Sequence, residues 1–240
     1  IGWLGLGKYV AKFENKLSKY LNLKNQYISC VSTGTDAIFM ALTLAGIKKD
    51  DEVIVPSLNF IAGPQSIMLS GAKPVFCDVE EDTLCIDVKK AEKLITKKTK
   101  AIIAVDYSGN CADYSKLNKL KNKYKIRIIQ DAAHSFASTF SSRKKTPNNS
   151  DIIIYSFDAI KTITTIDGGA IVVNNKKEHQ KIKSMRQLGF STQPYLAFSK
   201  NQKVSIDVKD LGMQNRMSNL HAAVGLEQLK KKKLIIKKKK

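Results

Sequence analysis

Three short stretches of this chain carry residue types that could share one reaction. Ser32-Thr33-Gly34-Thr35 follows the apolar run "QYISCV" and opens a helical pattern. Small residues at a helix N-terminus leave backbone N–H groups open, and with the helix dipole they suit a phosphate. Asp131 follows "IRIIQ", an acid where a strand ends, and Ser156 follows "DIIIY". Lys161 comes five residues later, inside "YSFDAIKTITTIDGGAIVV". Singly, each has an ordinary reading: a cap, another cap, a solvated amine. Together they form the set that a pyridoxal phosphate site requires. The phosphate takes a helix N-terminus and hydroxyls, the pyridine nitrogen takes a carboxylate that keeps it protonated, and the aldehyde takes a lysine.

The elements that must position these residues alternate regularly. "KYVAKFENKLSKYL" spaces Val10, Phe13, Leu17 and Leu21 at helical intervals. "STGTDAIFMALTLAG" reads as a turn that opens a helix, with Thr35 and Asp36 suited to its N-terminus and Gly46 to its end. Strands are then expected at "DEVIVPS", "KPVFCDV", "KAIIAVDY" and "IRIIQDAA", with helices at "AGPQSIMLSG", "DVKKAEKLI" and "DYSKLNKLKNKY" between them. "SDIIIYSF" and "GGAIVVNN" add two strands, and "KEHQKIKSMRQLG" and "MSNLHAAVGLEQLKK" two helices, with a loop over 190–212. Nearly wholly apolar strands separated by helices predict an α/β fold, a mainly parallel sheet sandwiched by helices. In such sheets ligands gather beyond the carboxyl ends of the strands, where the three stretches above fall.

Composition excludes some partners. The 240 residues carry a formal net charge of +20, of which Lys230–Lys233 and Lys237–Lys240 supply eight. Of the 41 basic residues only four are arginine, and they neither cluster nor interleave with aromatics. That pattern describes solvated lysine faces, not a nucleic-acid footprint. Cys30, Cys77, Cys85 and Cys111 lack CxxC spacing and lie in or beside apolar strands. They read as small buried hydrophobes of a reducing compartment, with no metal site. No apolar run reaches membrane-span length and no signal pattern opens the chain, so a cytoplasmic, non-membrane protein is expected.

The quoted motifs also resemble a family. "GWLGLGKYVAKFENKL", "STGTDAIFMAL", "KDDEVIVPSLNFIA", "GAKPVFCDVEEDTLCID", "IIQDAAHSFAS", "YSFDAIKTITTIDGGAIV" and "MQNRMSNLHAAVGLEQLKK" resemble the DegT/DnrJ/EryC1/StrS sugar aminotransferases, of the aspartate aminotransferase fold (fold type I). The resemblance implies that pyridoxal 5'-phosphate is held by Lys161 as the Schiff-base lysine and by Asp131 at the pyridine nitrogen. It further implies His134 near the ring hydroxyl and Phe60 stacked on the ring. Gly34, Thr35 and Ser156 would contact the phosphate, with the Asp36 N–H as a further donor. Asn215 matches an asparagine that reaches the phosphate of a neighbouring subunit, which implies a homodimer with shared sites. The implied substrates are an amino acid, usually glutamate, and a nucleotide-linked keto-sugar, for amino-sugar or surface polysaccharide synthesis. Relatives that use the cofactor for dehydration carry histidine in place of the lysine, so Lys161 speaks for transamination.

Two departures from the family pattern stand out. The Gly-Glu-Gly-Gly after the lysine is here Ile166-Asp167-Gly168-Gly169, and a β-branched residue at positive φ would be strained. The family's chains also begin earlier and continue into a small C-terminal domain. Residues 1–229 are thus expected to be the large, cofactor-binding domain of a truncated chain, with 230–240 a lysine-rich tail. A silent relative that keeps the fold for binding or regulation is the alternative.

Overall fold

The computed structural model describes residues 4–139, 150–191 and 207–239. In chain order these form α1 (Lys8–Leu21), β1 (Tyr27–Val31), α2 (Gly34–Leu44), β2 (Glu52–Pro56), α3 (Ala62–Leu69) and β3 (Lys73–Cys77). Then come α4 (Val88–Lys93), β4 (Thr99–Val105), a 3-10 turn (Tyr107–Gly109), α5 (Tyr114–Tyr124), β5 (Arg127–Asp131) and β6 (Ile152–Ser156). The chain continues through β7 (Gly169–Val173), α6 (Lys176–Met185), α7 (Asn219–Lys230) and α8 (Lys232–Lys239). Of the loop expected over 190–212, residues 192–206 lie outside the described residues, and its ends are joined by an isolated antiparallel bridge, Phe190 to Val208. Most of the lysine-rich end, read above from composition alone, is helical as α8.

These elements group into two compact units. Ala37–Ser156 holds five strands in the order β6-β5-β4-β2-β3, every neighbouring pair parallel. Its strands are apolar because helices cover them: Ile54, Ile102 and Ile128 pack with Val88, Leu117 and Leu120 from α4 and α5 in one cluster. Helix starts are fixed by acids, Asp87 accepting from the N–H groups of Lys89 and Lys90, and Asp113 from that of Lys116.

The second unit, Ile1–Asp36 with Phe157–Lys240, contains the antiparallel pair β1–β7, in register from Tyr27 opposite Val173 to Val31 opposite Gly169. Helix α1 buries Val10, Phe13, Leu17 and Leu21, the stripe its spacing predicts, and packs on α7. Ser218 caps α7 by accepting from the His221 N–H. Parallel strands with flanking helices match the expected α/β class, and β7 against β1 is the antiparallel exception.

Candidate active site

The candidate residues fall in both units. In the β1–β7 unit, helix α2 starts at Gly34, and Thr33 supplies its cap: Thr33 Oγ1 accepts from the Asp36 N–H at 2.9 Å. The sequence pointed to Thr35 and Asp36 for this end, whereas they occupy the first turn. The Asp36 carboxylate accepts from the hydroxyls of Ser32, at 2.5 Å, and Thr33, at 2.7 Å. The Asp36 N–H is therefore engaged within the turn. Gly34 and Thr35, as the first helical residues, have N–H groups with no intrahelical acceptor.

Asn215 lies beside that turn. Its carbonyl accepts from the Ser32 N–H at 2.9 Å, and Arg216 bridges Val31. The buried Asn215 Nδ2 has no hydrogen-bond partner among the described residues. A buried amide donor left unmatched is costly, so this one marks a position for an acceptor.

Lys161 sits in the loop between β6 and β7, partly buried, its N–H donating to the Asp158 carbonyl at 3.0 Å. The loop is closed at its base: the Phe157 N–H donates to Gly168 O at 2.8 Å and the Thr165 N–H to Phe157 O at 2.9 Å. Ile166 has φ +75°, the strained conformation expected if it stands in place of a glycine, and its N–H donates to Thr164 Oγ1. Where the loop enters β7, a Cβ on Gly169 would stand 2.2 Å from the Thr33 carbonyl oxygen and 2.8 Å from the Gly34 nitrogen. Absence of a side chain at Gly169 lets the lysine loop and the turn meet backbone to backbone.

A charged pair holds β1 on its outer side. Arg186, only 2% exposed, donates from Nη1 to Glu14 Oε1 and to the Cys30 carbonyl, both at 2.7 Å. Glu14 Oε1 accepts from the Cys30 N–H at 2.8 Å. Two residues before the turn, both backbone groups of Cys30 are thus satisfied.

In the parallel unit, Asp131 and Ser156 end the adjacent strands β5 and β6, both buried. Asp131 Oδ1 accepts from the Ala133 N–H at 3.0 Å. His134 follows, its Nδ1 accepting from the Ser108 N–H at 3.4 Å and its ring edge-on to Tyr107, with centroids 5.7 Å apart. Phe60, in the turn between β2 and α3, leaves 73% of its surface in solvent.

Sequence reasoning missed Asp106, Gly169 and the Arg186–Glu14 pair. Asp106 follows an apolar strand just as Asp131 does, so the strand-end rule that found one could have found the other. Arg186 had only a faint signal, an arginine in a chain that otherwise uses lysine. Among the described residues no group of histidines, cysteines and acids could hold a metal. The cysteines are free, and burial pushes the thiols of Cys77 up to about 11 and of Cys111 to about 12. None is poised as a nucleophile.

Taken unit by unit, the groups are of kinds that a phosphorylated pyridine takes: a helix N-terminus and a loop lysine in the β1–β7 unit, and a strand-end carboxylate and an exposed aromatic ring in the parallel unit. Comparisons with known proteins point the same way. The model of the DegT/DnrJ/EryC1/StrS aminotransferase family matches residues 1–240. GDP-perosamine synthase of Escherichia coli O157:H7 is 36% identical over 223 residues, 93% of this chain and 58% of that protein. Among solved structures, Helicobacter pylori PseC, an aminotransferase involved in the biosynthesis of pseudoaminic acid, is 30% identical with a TM-score of 0.86, over 98% of this chain and 60% of that one. The putative sugar aminotransferase Spr1654 from Streptococcus pneumoniae matches in its PMP-form at 27% identity and TM-score 0.87, over 97% of this chain and 63% of that one. Its PLP-form matches at 25% identity and TM-score 0.85, over 97% of this chain and 62% of that one. The chain spans about 60% of the length of the curated relatives it matches.

Proposed function

The chain belongs to the DegT/DnrJ/EryC1/StrS aminotransferase family, and from that premise we propose that it binds pyridoxal 5'-phosphate and moves an amino group to a nucleotide-linked keto-sugar. The donor would be an amino acid, glutamate by family resemblance, and the product an amino sugar for a surface polysaccharide. Kinship with GDP-perosamine synthase and PseC supports the sugar acceptor. The observation that carries the reading is the turn Ser32–Thr35, where Gly34 and Thr35 open helix α2 with backbone N–H groups that have no intrahelical acceptor.

Bound pyridoxal phosphate would supply an aldehyde that takes amines and a ring that draws electrons from the neighbouring carbon. The chain's own residues do the rest. Gly34 and Thr35 offer backbone N–H groups to the phosphate, with Ser156 adding a hydroxyl. Asp131, buried at its strand end, would hold a proton on the pyridine nitrogen, and His134 would stand near the ring hydroxyl. Phe60 would cover one ring face and keep water from it. The Lys161 amine would anchor the cofactor and then carry the proton between the amino donor's α-carbon and the cofactor's C4′. Asn215 suits the phosphate of a second copy, giving a homodimer with shared sites. Free, mostly buried thiols accord with a reducing, cytoplasmic setting. No described helix is long and apolar enough to cross a membrane. Residues 1–229 serve as the cofactor-binding domain and 230–240 as its basic tail.

The deciding experiment is the visible absorbance of the chain with pyridoxal phosphate, beside Lys161→Ala, before and after borohydride and then glutamate. We expect a band that borohydride fixes onto Lys161, that the variant lacks, and that glutamate converts. Identical spectra for wild type and variant would make the silent relative the better description.

A further inference from the structure

Asp106 is wholly buried just past β4, and the reaction outlined above gives it no part. Its carboxylate accepts from Gln130 Nε2 at 2.5 Å, Ser135 Oγ at 2.8 Å, Tyr114 OH at 2.9 Å and, more weakly, the Ala112 N–H at 3.4 Å. No cation pairs with it among the described residues. Gln130 is itself fixed, its Oε1 accepting from Ser150 Oγ at 3.0 Å. The Asp106 N–H donates to the carbonyl of Asp131 at 2.9 Å. The same loop carries Ser108, whose N–H meets His134 Nδ1, and Tyr107, whose ring meets that imidazole.

Burying a carboxylate without a counter-charge is unfavourable, and packing alone would be served as well by an apolar residue. The arrangement makes sense when its targets are considered. Of its donors, Gln130 immediately precedes Asp131 and Ser135 immediately follows His134, while its backbone reaches Asp131 itself. We infer that Asp106 is a positioning residue: an acceptor-only hub that locks the segment Gln130–Ser135 so that Asp131 and His134 present one geometry to the cofactor ring. This rests on the cofactor reading above. A side chain that only accepts is needed because every group converging on it donates, and a fully satisfied buried network admits one arrangement. Burial raises the pKa of Asp106, and the hydrogen bonds from Gln130, Ser135, Tyr114 and Ala112 oppose that shift.

Asp106→Asn tests this with little change of shape, since the amide sets its own N–H group against those of Gln130. Hydrogen exchange of the cofactor-free chain reads the local effect, and equilibrium dialysis against pyridoxal phosphate reads the functional one. We expect exchange at 132–138 to rise at least tenfold while amides of β1 and β7 are unchanged, and cofactor affinity to fall at least tenfold. Asp87→Ala, which removes the α4 cap on Lys89 and Lys90 and no donor of Asp106, serves as the stability control and leaves both readings as in wild type. Should Asp106→Asn not fold, Ser135→Ala removes one hydroxyl of the hub and gives the same two changes, severalfold in size. Exchange that rises uniformly, or a local rise with unaltered cofactor affinity, overturns the inference. If the wild-type chain binds no pyridoxal phosphate, the cofactor reading falls with the role built on it, while the exchange result still tells whether Asp106 locks the segment.

Discussion

In the unit built on β1 and β7, the backbone of Cys30 is held by a buried pair of opposite charges, Arg186 and Glu14. In the parallel unit, the segment Gln130–Ser135 is held by one carboxylate, Asp106, ringed by neutral donors. The difference follows from where each strand stands. β1 pairs with β7 on one side and carries only the isolated bridge from Val31 to Arg216 on the other, so backbone N–H and C=O groups turn outward there. Cys30 and Ser32 do so, and Glu14, Arg186 and the Asn215 carbonyl meet them. An edge shows donors and acceptors together, and a cation with an anion answers both. β5 is flanked by β4 and β6, its ladder is complete, and only the turn beyond its end needs fixing. The side chains it turns toward Asp106, those of Gln130 and Ser135, donate to one carboxylate, and the Asp131 carbonyl is met by the Asp106 N–H.

If this contrast is right, the charged clamp should be the more fragile to single substitution. Arg186→Met leaves the Glu14 carboxylate, its side chain 15% exposed, without its cation, and about 3–5 kcal/mol of stability should be lost, as for other broken buried pairs. Urea titration measures it. The double variant Arg186→Met with Glu14→Gln should recover part of that loss, because no charge is then stranded. Full additivity of the two changes would show that the pair does not act as a clamp.

Gly169→Ala probes the same unit at its ligand side. The added methyl would meet the Thr33 carbonyl at 2.2 Å, and backbone cannot swing away as a side chain does. We expect the turn to shift and pyridoxal phosphate to bind roughly tenfold more weakly, about 1.4 kcal/mol. Unaltered affinity in dialysis would mean that the turn tolerates displacement.

A smaller effect of opposite sign should come from Ile166→Gly. Ile166 is 60% exposed at φ +75°, so little packing is lost and backbone strain is relieved. A gain of about 1 kcal/mol is expected in thermal unfolding, the low end for a residue in this region.

A pH slope is expected from the β1 unit. His179, stacked on Tyr27 with ring centroids 5.0 Å apart, has its pKa lowered to about 4 by burial and then by the Lys183 charge. The unfolded chain, with histidine near 6.5, binds this proton more readily. Its contribution is therefore complete above pH 6.5 and fades as pH falls toward 4. In His179→Gln the stability curve should be flatter between those values, and an unchanged slope would show that other groups set it.

Much of the fold was legible in the sequence because it is local. Val10, Phe13, Leu17 and Leu21 announce α1 by spacing alone, and the apolar strands "IIIYS" and "RIIQD" announce a sheet buried on both faces. Asp131, Ser156 and the Ser32–Thr35 turn stood out by type and by position after a strand. What escaped depends on partners far away in the chain. Nothing near Arg186 foretells Glu14, 172 residues earlier. Nor does anything near Asp106 foretell that Gln130 and Ser135, 24 and 29 residues on, converge with Tyr114 on its carboxylate.

Periodicity and residue type, which operate within a few residues, thus determined the order of elements, the α/β class and which residue types stand at the strand ends. Only the tertiary structure decided that Thr33 caps α2 and that β7 runs against β1. It also decided that Gly169 must be bare and that one buried anion is answered by a cation while another is answered by neutral donors. Those outcomes depend on which backbone groups are left unsatisfied once strands pair, and that is settled by neighbours in space, not in sequence.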